Sequence, residues 1–569
     1  MTLPAAVLPP VPAPVRDAGQ RRLIVETLLL GVAGSGAAQV FNLLLHWANW
    51  LFLGQLAGYR PPGLPNEGGA LEPVIGPHGL WLVPVATTLG GLVVGWMVSR
   101  WAPEAEGHGT DAAVRAFHRA GGAIRARVAP IKAVASAITI GSGGAAGREG
   151  PVALISAGIA SIYASLTERS ERERRLLMLI GMAAGLSAIF RSPIGTALFA
   201  IEVLYSDVEF ESDALLYTIL SSIVAYAVNG LFVGWQPLFR VPSDLSLPRL
   251  IDNGWFVALG VAAGTVAFVE PLVFYGVRDL FRRLRLAAWL KPAVGGLGVG
   301  LIAIVFPQVI AGGYAWMQAA MDGRLAVGTL GLLILVQIVA MSLTISSGGS
   351  GGVFAPSLFV GAMLGGFLAS LAHLPPAPFV VVGMAAVFAG SARVPMATMM
   401  MVTEMTGGYA LLVPAALAVM LSYLIQVRLS RGVRYRSLYE AQVPRRGDSP
   451  AHHTEHLEIA LRILDQHQLS GPLRGRLDLL TLLRSGTAVE LPDDRRLTVG
   501  LLRAESPLVH RTVGGERAAF DGDTRVIGVI RGEHMIGVRP DTVLEAGDRI
   551  ILVTTAPGLE RLRPHLVSW

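Results

Sequence analysis

TIGSGGAAGREGP (Thr139 to Pro151) and TISSGGSGGVFAP (Thr344 to Pro356) align without a gap, 205 positions apart, at Thr, Ile, Ser, three glycines and Pro. A second pair, GMAAGLSAIFRSPIGTALFAIEV (181–203) and GMAAVFAGSARVPMATMMMVTEM (383–405), matches 202 positions apart at Gly, Met, Ala, Ala, Arg, Pro, Thr and Glu. The second half of the chain therefore repeats the first. Such duplication in a polytopic chain is the trace of two similar helical bundles, commonly inverted, with a ligand site between them near the bilayer midplane. Each glycine-rich turn ends in Gly-x-x-x-Pro and runs into an apolar stretch, PVALISAGIASIYASL or PSLFVGAMLGGFLASL. Pro belongs in a helix's first turn, so a helix starts at each turn. The free N–H groups and dipole of two such starts can converge on one small anion. Neither turn carries the GxxxxGK[ST] of a phosphate loop, and no alternating strand and helix pattern supports a dinucleotide fold.

Composition places these turns in a membrane. Only 15% of the 569 residues are charged and 52% are apolar. Apolar stretches of spanning length recur at roughly 22–55, 79–101, 176–204, 214–239, 254–282, 289–312, 324–346, 357–374, 378–404 and 409–429. Val128 to Leu166 is broken by Gly and Pro, so helices that stop partway through the bilayer are expected. Cysteine is absent, which removes disulfides and thiolate metal sites. The arginine clusters at Arg21-Arg22, 171–175 and Arg278 to Arg285 read as positive-inside anchors; without interleaved aromatics they do not read as a nucleic-acid patch. The Pro-rich residues 1–19 read as a disordered tail, and no targeting signal precedes the first span.

GREGP (147–151), GGVFAP (351–356) and SLYEAQ (437–442) resemble, in order, the pore signatures of the CLC chloride channels and proton-coupled chloride transporters. The resemblance covers about residues 20–445. It implies an all-α polytopic membrane protein with two inverted repeats of tilted and broken helices, at about 20–235 and 250–445. It further implies a homodimer with one anion pathway per subunit, multi-pass in the plasma membrane with both termini cytoplasmic. Carried over, Glu149 is the gating carboxylate that competes with anion. His108, Arg148, Gly150, Val353, Phe354, Ala355 and Tyr439 take the anion-binding positions, Tyr439 through its hydroxyl. Two departures stand out. GHGTD (107–111) replaces the usual GSGIP, putting His108, a donor able to become a cation near neutral pH, where the family carries serine. Val203 lies where proton-coupled members usually carry a glutamate, which points to a passive, pH-sensitive chloride channel with a glutamate gate; a proton-coupled antiporter is the alternative. Chloride and protons are the expected ionic partners, beside membrane lipid. Fluoride is disfavoured because the fluoride branch's methionine is missing. The repeated Glu202 and Glu404 suggest a helix-end or packing role.

Beyond about residue 445 the chain turns polar. Residues 446–496 read as a linker with short helices, including one at Leu457 to Leu464. His452, His453 and His456 have no second ligand cluster to close a metal site. SPLVHRTVGG, TRVIGVIR, MIGVRPDTVLEAGD and RIILVTT read as short strands between turns. About residues 497–569 resemble the TrkA-C regulatory module of potassium transport systems, implying a small α/β cytoplasmic domain that regulates or dimerises, with an unidentified small-molecule ligand. That module raises a cation transporter as a rival, but neither a TVGYG carbonyl filter nor a ring of carboxylates is present. An intramembrane enzyme would need paired acids, HExxH or a Ser/His couple on buried segments, and none stands out; no cofactor is expected.

Overall fold

The computed structural model describes residues 14–241, 253–451 and most of 489–567. Residues 1–442 and 443–569 form two compact units. The first holds eight helices per repeat. They are α1 (Pro14–Asn49), α2 (Val83–Trp101), α3 (Gly109–Arg119), α4 (Val128–Gly141), α5 (Glu149–Leu166), α6 (Glu171–Phe190), α7 (Pro193–Glu202) and α8 (Ser212–Val233). The second set is α9 (Asn253–Arg283), α10 (Lys291–Val305), α11 (Tyr314–Met321), α12 (Val327–Ser346), α13 (Phe354–Leu371), α14 (Pro376–Ala392), α15 (Pro395–Thr406) and α16 (Leu412–Leu429). Among the described residues nine helices are long and apolar enough to cross a membrane, while α4, α7 and α14 are shorter apolar helices. A two-stranded ribbon, β1 (Tyr59–Arg60) with β2 (Val74–Ile75), follows α1.

The repeats meet through equivalent atoms. Gly147 and Gly352, partners in the sequence repeat, exchange two backbone hydrogen bonds of 2.7 Å in an antiparallel bridge. The Ala145 N–H donates to Thr344 Oγ1 at 2.9 Å, and the Ser350 N–H donates to Thr139 Oγ1 at 3.3 Å, so each repeat's threonine serves the other's turn. This reciprocal antiparallel exchange relates the two turns by a local two-fold axis. Gly143 and Gly348 open the two turns at φ 106° and 107°, a region where a side chain is strained.

Two of the expected spans are divided. The run 176–204 breaks into α6 and α7 at Arg191, and 378–404 breaks into α14 and α15 at Arg393. Both arginines are left-handed helix caps followed two residues on by Pro. Average hydropathy over these runs cannot detect such a corner, because the residues beyond it are as apolar as those before. The helix ends bear out the repeated glutamates. The Glu202 carboxylate, at the end of α7, accepts from the N–H groups of Met396 (3.1 Å) and Ala397 (2.7 Å) at the start of α15. The Glu404 carboxylate, near the end of α15, accepts from the N–H groups of Ile194 (3.2 Å) and Gly195 (2.9 Å) and the Ser192 hydroxyl (2.6 Å) at the start of α7. Each helix thus caps the other with a charge suited to a helix N-terminus.

At the N-terminus helix α1 begins at Pro14, inside the stretch expected to be a disordered tail, as Pro's fixed φ allows at a first helical position; residues 1–13 lie outside the described residues. The second unit is a six-stranded antiparallel sheet. Its order is β3 (Val489–Leu491), β4 (Arg495–Leu502), β7 (Arg549–Thr555), β5 (Thr524–Arg531) and β6 (His534–Ile536), with β8 (Leu566–Val567) also on β4; among its described residues α17 (Ala556–Leu562) is helical. Leu502, Val529, Leu544, Ile550, Leu552 and Leu562 are among its buried core. The sheet starts before the expected boundary at 497, since β3 and the start of β4 lie in the stretch read as linker. SPLVHRTVGG is not a strand over its described residues. Pro507 and a positive φ at His510 (66°) turn it, leaving one isolated bridge from Thr512 to Val543. His452, His453, His456 and the helix expected at Leu457 to Leu464 lie outside the described residues.

Candidate functional site

Four helix starts face one another in the membrane unit, two from each repeat: α3 and α5, α11 and α13. The first turn of a helix carries N–H groups with no partner inside the helix. Gly150 stands where a Cβ would meet Gly352 Cα at 3.0 Å, and Gly109 is closer still to Gly150. The Gly150, Val353, Phe354 and Ala355 amides therefore belong to one buried junction.

Glu149, the first residue of α5, is 1% exposed. Its carboxylate folds into the junction. The Tyr314 hydroxyl donates to Oε1, while Oε2 sits against the N–H groups of Ala355 and Glu149 itself without the alignment of full hydrogen bonds. A Cβ at 147 would lie 2.0 Å from Oε2, so a larger residue there would push the carboxylate out of this position. The Arg148 side chain leaves the junction. It pairs with Glu67 at 2.6 Å and lies over the Tyr314 ring at 5.1 Å, so its part in the junction is limited to the backbone. Arg148 and Tyr314 line a cavity of about 650 Å³.

On the far side stand His108 and Tyr439, their rings 5.3 Å apart. His108 caps the start of α3, and its buried Nδ1 has no hydrogen-bond partner. It lies outside the candidate spans; burial, with Lys132, Arg278 and Arg115 nearby, pushes its imidazole down to about 3. Burial therefore works against the imidazolium expected near neutral pH and favours the neutral ring. The buried Lys132 Nζ donates to the carbonyls of Ala105 (3.0 Å) and Gly107 (2.6 Å), fixing the loop that carries His108. Asp111, where the family pattern has proline, accepts from the Ala441 N–H at 2.7 Å and pairs with Arg115 at 3.0 Å. That ties α3 to the loop holding Tyr439. The aromatic wall continues through Phe199, 6.5 Å from Tyr439, to Phe354. A second cavity of about 550 Å³ opens at His108; Arg115, Arg119, Arg125, Arg278 and Arg282 line it together with Glu104, Glu106, Asp111 and Glu440, and Arg125, Arg115 and Arg278 pair with Glu104, Asp111 and Glu440. Val203 is fully buried at the end of α7, with its carbonyl accepting from Gln442 Nε2 at 3.1 Å.

The voltage gated chloride channel profile matches residues 90–427, more than half of the sequence. The chain belongs to that family. A TrkA-C domain matches residues 501–567. Among curated relatives, the H(+)/Cl(-) exchange transporter ClcA of Salmonella arizonae is 31% identical over 354 residues, covering 59% of this chain and 74% of that protein. The protein of the same name from Yersinia pestis is 31% identical over 332 residues, covering 56% and 69%. Similar solved structures include a slow cyanobacterial Cl-/H+ antiporter (TM-score 0.61, 23% identity, 73% of this chain and 95% of that one). A CLC-type fluoride/proton antiporter also matches (TM-score 0.63, 21% identity, 75% and 99%). At these identities the structures establish the fold.

Family motifs did not point to Tyr314. The internal repeat could have. GHGTD (107–111) falls over GGYAW (312–316) at the same 205-residue spacing, so α11 starts opposite α3, and Tyr314 is the partner of Gly109.

Proposed function

We propose that this protein exchanges chloride for protons across the plasma membrane, as a homodimer with one pathway per subunit and both termini cytoplasmic. The observation that carries this reading is the position of Glu149: one buried carboxylate occupies the junction of helix starts that suits chloride, so one side chain can serve both ions. Chloride enters by the cavity at His108, where five arginines outnumber four carboxylates, passes His108 and Tyr439 as hydrogen-bond donors, and reaches the amides of Gly150, Val353, Phe354 and Ala355. An ionised Glu149 competes for the same amides. Taking up a proton removes that competition and frees the carboxyl to swing toward the Arg148 cavity, carrying the proton with it. The relatives named above as exchange transporters favour coupling. The TrkA-C domain is read as a cytoplasmic regulatory module with an unidentified small-molecule ligand.

A passive gated channel is the second reading, favoured by the apolar Val203. The two are separated by reconstituting the protein in liposomes with a chloride gradient and following proton uptake. Exchange predicts proton movement against its own gradient in the wild type and none in Glu149→Gln, which should still pass chloride. Chloride flux without proton movement in the wild type would leave the channel reading.

A further inference from the structure

Glu270 is fully buried on α9, inside a candidate membrane span, and nothing above gives it a task. An ionisable side chain at such depth is costly and marks an ion or proton path more often than a structural site. Its Oε1 lies 2.6 Å from the Ser357 hydroxyl on α13, and Ser391 of α14 also faces it. Its Oε2 has no partner, and among the described residues no cation pairs with it. Ser357 Oγ also lies 2.8 Å from the Val353 carbonyl. One hydroxyl proton cannot fully serve both oxygens. If Glu270 carries a proton and donates it to Ser357 Oγ, the Ser357 proton is free for Val353; if Glu270 is ionised, the two acceptors compete. The site is built to be satisfied in one state and strained in the other.

Glu270 lies between the cavity at His108 and the Glu149 junction. One turn further along α9, Phe274 packs its ring 5.9 Å from His108, and Phe274, Tyr275 and Arg278 line the arginine-rich cavity. In the other direction, Ser357 stands two residues beyond Ala355, whose N–H faces Glu149. The two carboxylates therefore touch the same first turn of α13 from different sides, on the order of 10 Å apart given a helix's width. Pro271 follows Glu270 and removes an N–H from the α9 ladder at this depth, leaving the Ala267 carbonyl without its helical donor.

We propose that Glu270 is the acid that passes protons between the arginine-lined cavity and Glu149, the task for which Val203 has no titratable group. A proton arrives on water from the cavity, forms an O–H bond on the Glu270 carboxyl group and leaves that water neutral. The O–H bond then breaks as a new one forms, through intervening water, on the Glu149 carboxylate. No electrons are exchanged.

The proposal rests on the antiport reading, and the experiment separates the two. Wild type, Glu270→Gln and Ser357→Ala are reconstituted in liposomes, and chloride and proton fluxes are recorded together. The ratio of protons to chloride should fall at least tenfold in Glu270→Gln and severalfold in Ser357→Ala. A wild-type ratio in Glu270→Gln would overturn the role of Glu270 while leaving antiport intact. Should Glu270→Gln not yield a monodisperse protein, a wild-type ratio in Ser357→Ala would overturn it equally. Absence of proton movement in the wild type would sink the antiport reading and this role with it.

Discussion

Removing the Tyr314 hydroxyl should make the protein bind chloride more tightly. In the structure this hydroxyl donates to Glu149 Oε1, inside the junction of helix starts where chloride is read to bind. A hydrogen bond to a charged group contributes about 1.5–3 kcal/mol. If chloride must displace the carboxylate, its apparent dissociation constant is the intrinsic one multiplied by the carboxylate's advantage in holding the site. Tyr314→Phe keeps the ring under Arg148 and removes only the donor, so the advantage should shrink roughly 10- to 100-fold, at 1.4 kcal/mol per decade. Titration calorimetry of purified protein, with chloride added to chloride-free buffer, reads this directly. The same substitution in a Glu149→Gln background should change the constant by less than about twofold, since coupling vanishes once the partner is gone. A Tyr314→Phe constant within about twofold of wild type would refute the competition argument. Equal tightening in both backgrounds would show that Tyr314 acts on the anion by another path.

The remaining predictions concern stability and pH. Glu404→Ala removes the acceptor for three hydrogen bonds at the start of α7 and should cost about 2–4 kcal/mol, read as a lower Tm in detergent, with anion selectivity unchanged. His108→Ser should leave the pH dependence of chloride flux between about pH 5 and 8 as it is, because the imidazole is held neutral far below that window; a response to pH lost in this variant would mean that the histidine charges during transport.

Both repeats could be read from the sequence because the same physical demand was written twice: a glycine turn that lets two backbones touch, then a helix start with Pro. Gly147 and Gly352 pair in space as they do in the alignment. Glu202 and Glu404 were legible for the same reason, although that each caps the other's helix depends on tertiary packing. Tyr314 was missed because no family motif marks it, although the 205-residue repeat sets it opposite Gly109. Glu270 was hidden because a single acid within an apolar run differs little from a tolerated impurity until its neighbours are known. Arg191 and Arg393 cap helices in a conformation usually left to glycine, so composition gave no warning of the breaks beside them. In the second unit, short apolar runs bounded by turn residues marked β5 and β7 well, whereas β3 is a short edge strand whose place is set by pairing with β4.

The central claim is that chloride and protons move in exchange through the Glu149 junction. The reversal potential of the wild-type protein in a planar bilayer, with equal chloride on both sides and a tenfold proton gradient, tests it most directly. Exchange predicts a potential displaced from zero toward the proton equilibrium value, and a return to zero in Glu149→Gln. A wild-type potential that stays at zero, following chloride alone whatever the proton gradient, would contradict the account.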